Sequence, residues 1–270
     1  MANADFPQQV LIFGCGNMGG AMLRGWIAGG IDPARFIVVD PIAKDLPTGV
    51  THHQSADDVT GTFDVVLLGI KPQMLSELAP AIGALLDPQA TVISILAGIE
   101  SQTLKRYFAN ADIVRLMPNL AAAIGKSPLG LWSSGFDKAS KAVLEHWLAP
   151  LGTPIWLENE AQMNAVTALA GSGPAFVYRF IDALGDAGAA LGLPTEIAAQ
   201  FALSMIEGAA LLAANSNESP AELAARVTSP GGTTAAGLAE LDKAINPLIE
   251  KTLRAASERG AELAHLEDKS

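Results

Sequence analysis

The stretch VLIFGCGNMGGAML places Gly14, Gly16 and Gly19 at G-x-G-x-x-G spacing, directly after an apolar run and at the opening of a helix-like segment. The chemistry open to such a stretch is phosphate binding. Gly14 permits a tight turn, Gly16 lets backbone approach a pyrophosphate, and Gly19 lets a helix pack closely on a strand. Around them Cys15, Asn17 and Met18 bring backbone N–H groups to a helix N-terminus, where partial positive charge favours an anion. The alternative is a glycine-rich turn without a ligand, but its place on the first strand of an alternating series favours a dinucleotide.

Four further features would surround such a ligand. Asp40 ends the second apolar run, about 20 residues beyond the third glycine. A carboxylate there accepts hydrogen bonds from both adenosine ribose hydroxyls and repels the extra phosphate of NADP, so NAD(H) is the expected cofactor. No Arg follows in DPIAKDLP, and Lys44 is the one nearby cation. Asp40 could instead cap the turn at Pro41. The run LLGIKPQ ends in Ile70-Lys71-Pro72, which sets a cation at a strand end, facing a ligand or simply solvated. Ala97-Gly98 in SILAGI is small enough for a dinucleotide to lie against the backbone, and Asn119 in RLMPN could offer its amide to a ligand.

These residues need strands to hold them. From Gln9 to about Leu157 the runs VLIFG, FIVVD, DVVLLGI, TVISIL, DIVRLM and LGLWSS alternate with helix-like segments. Continuous apolar runs of this length suit strands covered on both faces, and the alternation predicts a mostly parallel sheet of βαβ units. After Glu158 the β-branched runs stop. Ile197, Phe201, Met205 and Leu212 recur at helical spacing, as do Ile249, Leu253 and Ala256. The expected fold is therefore α/β: an N-terminal Rossmann-like doubly wound sheet in residues 1–157, then an all-α helical domain in residues 158–270. Helices apolar around much of their circumference need a partner, so the second domain is expected to dimerise.

Composition narrows the partners. The chain has 270 residues, 50% of them hydrophobic, and a formal net charge of −11. That charge argues against a nucleic acid or an anionic membrane surface and leaves a small anion in a local electropositive pocket. The single cysteine, Cys15, excludes an internal disulfide, and the start MANADFPQQV lacks the pattern of a signal peptide. No apolar run reaches about 18 residues without Gly, Pro or a charge, so a cytoplasmic protein is expected. No H-E-x-x-H or C-x-x-C spacing occurs, and no metal is expected.

In the second half, GSGP at Gly171 to Pro174 interrupts a helical run, and SPGGTT at Ser229 to Thr234 breaks another. With FGCGNMG, GIKPQ, LAGI, RLMPN, TALAGSGPAF and LGLP, in this order and at these separations, VTSPGGTT makes the chain resemble the pyrroline-5-carboxylate reductases from Val10 to Leu263. The resemblance implies a dinucleotide-binding domain followed by helices that form intertwined homodimers, often assembled into decamers. It implies hydride transfer from NADH or NADPH to the C=N carbon of a five-membered cyclic imine bearing a carboxylate, which yields proline.

On that resemblance, open N–H groups around Gly231, Gly232 and Thr233 hold the substrate carboxylate, Ser229 adds a hydroxyl, and Thr234 contacts the imine nitrogen. The alternative makes Ser229 an N-cap and Pro230 the first helical residue. GSGP either lines the pocket for substrate and nicotinamide, with Ser172 as a hydroxyl, or is a packing kink at a dimer interface. The chain departs from the family pattern at Leu120-Ala121, where Thr-Pro is usual, at Ala170, where Ser is usual, and at Asp40-Pro41, where members that use NADPH carry small polar or basic residues. Another cyclic-imine reductase or a non-catalytic nucleotide sensor would share the plan. A β-hydroxyacid dehydrogenase would need a Lys early in the second domain, yet the first Lys after Glu158 is Lys243.

Overall fold

Eight short runs pair into one sheet in a computed structural model of the chain, which describes residues 6–43 and 45–267. In chain order the strands are β1 (Val10–Phe13), β2 (Phe36–Val39), β3 (Thr51–His53), β4 (Phe63–Leu68), β5 (Leu86–Ser94), β6 (Asp112–Met117), β7 (Ser127–Trp132) and β8 (Gly152–Trp156). Their order across the sheet is β3-β2-β1-β4-β5-β6-β7-β8, parallel throughout except where β7 runs antiparallel to β6. The chain passes from β1 out to β3 and then crosses to the other side of β1 to make β4. The topological switch therefore lies between β1 and β4, where an open α/β sheet binds its ligand.

Both faces of the sheet are covered, because successive side chains of a strand point to opposite sides. Val10 and Ile12 of β1 enter one apolar core with Val38, Leu67 and Leu116; Leu11 and Phe13 enter the other with Val39, Leu68 and Ile113. Helices α1 (Asn17–Ala28), α2 (Leu75–Ala84), α3 (Ser101–Tyr107) and α4 (Lys138–Leu148) supply the coats. Met22, Leu23 and Trp26 of α1 and Leu144 and Leu148 of α4 fill the first core; Leu75 and Ile82 of α2 and Leu104 of α3 fill the second. Each fully buried side chain of this size contributes roughly 1.5–3 kcal/mol.

The six expected strands are present, with β3 and β8 in addition. Both are edge strands, and their sequences THH and GTPIW, half-buried at most, carry no continuous apolar run. After the sheet come α5 (Gln162–Val166), a π-helical turn over Thr167–Gly171, then α6 (Gly173–Ala190), α7 (Thr195–Ala214), α8 (Pro220–Arg226), α9 (Thr233–Leu241) and α10 (Ile245–Glu267). The described chain forms two compact units. One runs through Gly171 and takes in the chain from Ala256 on; the other is Ser172–Ala255. Residues 158–171 lie beyond the last strand signal but still pack on the sheet, with Val166 of α5 set against Gly130 of β7.

Within the second unit α6 and α7 approach closely, with Gly185 and Gly188 of one facing Ala199 and Ala198 of the other. Most of the apolar surface there has no cover from the same chain: Phe201, Met205, Leu211 and Leu212 of α7 are all exposed. As expected, Glu207 and Gly208 interrupt the apolar run of α7, yet this helix is long and apolar enough to cross a membrane by length and composition alone.

Candidate active site

The glycine loop sits at the switch point. Gly14 adopts φ +85, and a Cβ there would lie 2.6 Å from the backbone of Gly69 and Ile70 at the end of β4. The two loops touch backbone to backbone, braced by Gly14 N–H donating to the Val39 carbonyl (2.9 Å) and Gly69 N–H donating to the Phe13 carbonyl (2.7 Å). A Cβ at Gly19 would meet the Gly14 carbonyl at 2.5 Å, so only glycine lets α1 start this close to β1. Gly16 differs. A Cβ there would meet no protein atom within 4 Å, and Gly16 and Asn17 are exposed. Gly16 is the N-cap of α1 without a side-chain cap, and the first turn holds no acidic residue. The amides of Asn17, Met18 and Gly19 have no acceptor within the helix. An open cradle at the end of a helix dipole fits a pyrophosphate.

Asp40 closes one side of this loop. Its Oδ2 accepts the Cys15 N–H at 2.7 Å and its Oδ1 accepts the Ile42 N–H at 2.9 Å, and the residue is 8% exposed. The two alternatives for Asp40 are thus not exclusive. It does cap the turn after β2, and each oxygen keeps a second lone pair for a ligand. His52 Nε2 lies 2.8 Å from its carbonyl. Lys44 lies outside the described residues.

Burial, with the adjacent Asp40 carboxylate, pushes the Cys15 thiol up from 9.0 to about 11, against an opposing pull from Arg24. At pH 8 about one thiol in a thousand is then ionised, so alkylation by iodoacetamide in the native protein is expected to run about 100-fold slower than for an unperturbed thiol. The sign for stability follows. Above pH 9.0 the unfolded chain releases this proton while the folded chain keeps it until about 11, so the contribution is whole below pH 9 and is lost as pH rises through that window.

The other crevice residues line the carboxyl ends of β4, β5 and β6. Lys71 is exposed and opens a 3-10 turn whose first residue is Pro72; Ile70 is half-buried. Ala97 is exposed and Gly98 turns at φ +82 beyond β5. Asn119 departs from expectation. It is 6% exposed; its Oδ1 accepts the Ala121 N–H at 3.0 Å, its Nδ2 donates to the Ala170 carbonyl at 3.0 Å, and its own N–H donates to Ser127 Oγ at 2.9 Å. The carboxamide ties the end of β6 to the π turn, serving protein partners instead of standing open to a ligand.

Sequence reasoning passed over a third group beside them. Glu160 accepts from Arg115 of β6 and from Ser101 of α3. The available signal was Arg115 itself, a charge inside the apolar strand DIVRLM that had to find a partner once buried.

In the second unit the SPGGTT break is a turn followed by a helix start. Gly231 is left-handed at φ +71, and the Gly232 N–H donates to the Ser229 carbonyl at 3.0 Å. Gly232, expected as an open donor, is therefore used, and it is the N-cap of α9. The open amides are those of Thr233, Thr234 and Ala235, with no acidic residue in the first turn. Ser229 and Pro230 precede the helix, so the alternative with Ser229 as N-cap does not hold. Ser229, Thr233 and Thr234 are exposed. The GSGP break holds Ser172 as the half-buried N-cap of α6, with Pro174 in its first turn. A π turn precedes it, which widens the helix by one residue before Gly171.

A doubly wound sheet with a glycine cradle at its switch point, followed by helices that carry a second anion-suited turn, defines a dinucleotide-dependent oxidoreductase. The family model for NADP oxidoreductase, coenzyme F420-dependent, matches residues 9–98, and that for pyrroline-5-carboxylate reductase dimerisation matches residues 160–263. The pyrroline-5-carboxylate reductase of Pseudomonas aeruginosa is 36% identical over 95% of this chain and 97% of its own. A solved pyrroline-5-carboxylate reductase from Coxiella burnetii superposes with a TM-score of 0.88 at 31% identity, covering 96% of this chain and 99% of the other. A pyrroline carboxylate reductase of Plasmodium falciparum, solved with NADP bound, gives a TM-score of 0.83 at 26% identity over 95% and 98% of the two chains. The chain belongs to the pyrroline-5-carboxylate reductase family.

Proposed function

We propose that this protein reduces 1-pyrroline-5-carboxylate to L-proline, with a reduced nicotinamide dinucleotide as donor. The observation that carries the reading is the turn at Ser229–Thr234, which presents three open amides and exposed hydroxyls at the start of α9. The amides of Thr233, Thr234 and Ala235 hold the substrate carboxylate, with the hydroxyl of Ser229 beside them, while Gly231 and Gly232 shape the turn. Thr234 Oγ1 hydrogen-bonds the ring nitrogen and orients the proton that the nitrogen takes up as the C=N bond is reduced. The bound nicotinamide supplies the hydride. Gly14 to Gly19, Ile70 to Pro72 and Ala97-Gly98 hold the dinucleotide, and Ser172 lines the substrate side. The apolar helices of residues 158–270, α7 foremost, pair with a second copy to make a homodimer.

For the cofactor we favour NADH. Asp40 is fixed beside the glycine loop by the Cys15 and Ile42 amides, where its charge opposes a 2′-phosphate. The test is oxidation of NADH and of NADPH with pyrroline-5-carboxylate. The expected result is turnover with both and a kcat/KM higher by about tenfold for NADH, equivalent to ~1.4 kcal/mol. Asp40→Asn removes the charge and is expected to bring the two cofactors within about threefold. A wild-type preference for NADPH would overturn the role given to Asp40, and no oxidation at saturating imine would overturn the proposed reaction.

A further inference from the structure

Glu160 lies in no glycine, proline or hydroxyl motif, yet it joins three distant segments. Its Oε1 accepts the Ser101 N–H at 2.7 Å and Arg115 Nη1 at 2.9 Å, and its Oε2 accepts Ser101 Oγ at 2.7 Å. Arg115 projects from β6 with its side chain 6% exposed, while the Glu160 side chain is 22% exposed. Ser101 is the first residue of α3, so Glu160 takes up one of the amides left open at that helix start. The loop that leads into Ser101 carries Ala97 and Gly98 away from the carboxyl end of β5. The segment that follows Glu160 is α5 and the π turn, which ends at Gly171.

The clasp is not dry packing. A cavity of about 150 Å³ opens beside it, lined by Gly98, Glu100, Arg115, Glu160, Ala161 and Asn164. A buried or half-buried ion pair contributes little net stability, because desolvation offsets most of the attraction. What it does supply is position. With both carboxylate oxygens engaged, the Ala97–Ser101 loop is held at one distance from β6 and from α5. Asn119 makes the second tie of this kind, through the Ala170 carbonyl.

We propose that Glu160 is a positioning residue for hydride transfer, holding the Ala97–Ser101 loop so that the cofactor lying on Ala97 and Gly98 meets the imine carbon at reactive distance. This rests on the proposed reaction, in which that loop lies against the dinucleotide. It asks no proton transfer of Glu160 itself.

The experiment compares wild type, Glu160→Gln and Glu160→Asp with pyrroline-5-carboxylate and a reduced nicotinamide deuterated at the transferred position. Glu160→Gln keeps an acceptor for the Ser101 amide and leaves Arg115 without its charge partner. The expected result is cofactor Kd within about threefold of wild type, kcat lower by about tenfold or more, and a larger primary isotope effect, because misplacement slows the hydride step itself. Glu160→Asp keeps the charge and is expected to recover part of kcat and of the wild-type isotope effect. A lower thermal midpoint with kcat and isotope effect unchanged would make the clasp purely structural and overturn the proposal. If Glu160→Gln does not fold, Glu160→Asp is read by the same criterion. If wild type does not turn over the imine, the proposed reaction fails first, which separates the two failures.

Discussion

Thr234→Ala is expected to lower kcat/KM for pyrroline-5-carboxylate by about 100- to 1,000-fold while leaving the fold intact. A positioned proton donor contributes about 10²–10⁴ to rate, and a single donor aimed at developing charge about 10²–10³. The side chain is exposed and makes no hydrogen bond to the rest of its unit, and it stands at the second position of α9, where alanine is well tolerated. Stability should therefore change by no more than about 0.5 kcal/mol. Steady-state kinetics with a thermal melt on the same preparation separates the two quantities. Thr234→Ser, which keeps the hydroxyl, should retain most of the activity. If Thr234→Ala turned over at the wild-type rate, the turn would be architecture alone.

Gly14→Ala is expected to damage both stability and cofactor binding. Its φ of +85 strains any L side chain, at about 1–3 kcal/mol. The added methyl would also lie 2.6 Å from the backbone of Gly69 and Ile70. Backbone cannot rotate out of the way as a flexible side chain does, so the β1 and β4 loops must part. A displacement of that kind at the switch point is expected to cost about 100-fold in kcat/KM for the dinucleotide. Gly16→Ala is the control that separates the two effects. Its Cβ has no protein atom within 4 Å, so the melting temperature should stay within a degree or two, while dinucleotide affinity is expected to fall if the pyrophosphate binds where we propose, since the methyl would take its place. Equal melting temperatures for Gly14→Ala and wild type would refute the backbone clash.

How much of this was legible in the sequence varies by element. The six inner strands could be read because strands covered on both faces are apolar at nearly every position, as VLIF is throughout and FDVVLL is apart from the exposed Asp64. The edge strands β3 and β8 could not, because one side of each has no neighbour and their residues need not be apolar. The alternative that put the N-cap at Ser229 fails because a turn with Gly231 left-handed uses the Gly232 amide first, so that Gly232 is the N-cap and α9 begins at Thr233. The dimer expectation came from helices apolar around most of their circumference, and Phe201 and Leu212 do stand uncovered by their own chain.

Two things about the candidate site needed the tertiary structure. Residue type told that Asp40 and Asn119 carry groups able to bind a ligand; only the fold decided that Asp40 holds the Cys15 and Ile42 amides and that Asn119 spends its carboxamide on Ala121 and Ala170. A hydrogen bond depends on which partner comes within about 3 Å, and that is a property of segments far apart in sequence. Glu160 is the plainest case, joined to Ser101 and Arg115 across separations of 59 and 45 residues. By itself the sequence determined the parallel sheet, the glycine cradle and the helix-opening turn at Ser229–Thr234, because period, glycine spacing and proline act locally. The tertiary structure decided which polar groups remain open to a ligand and which are already held, because burial and distance are set only when the chain has folded.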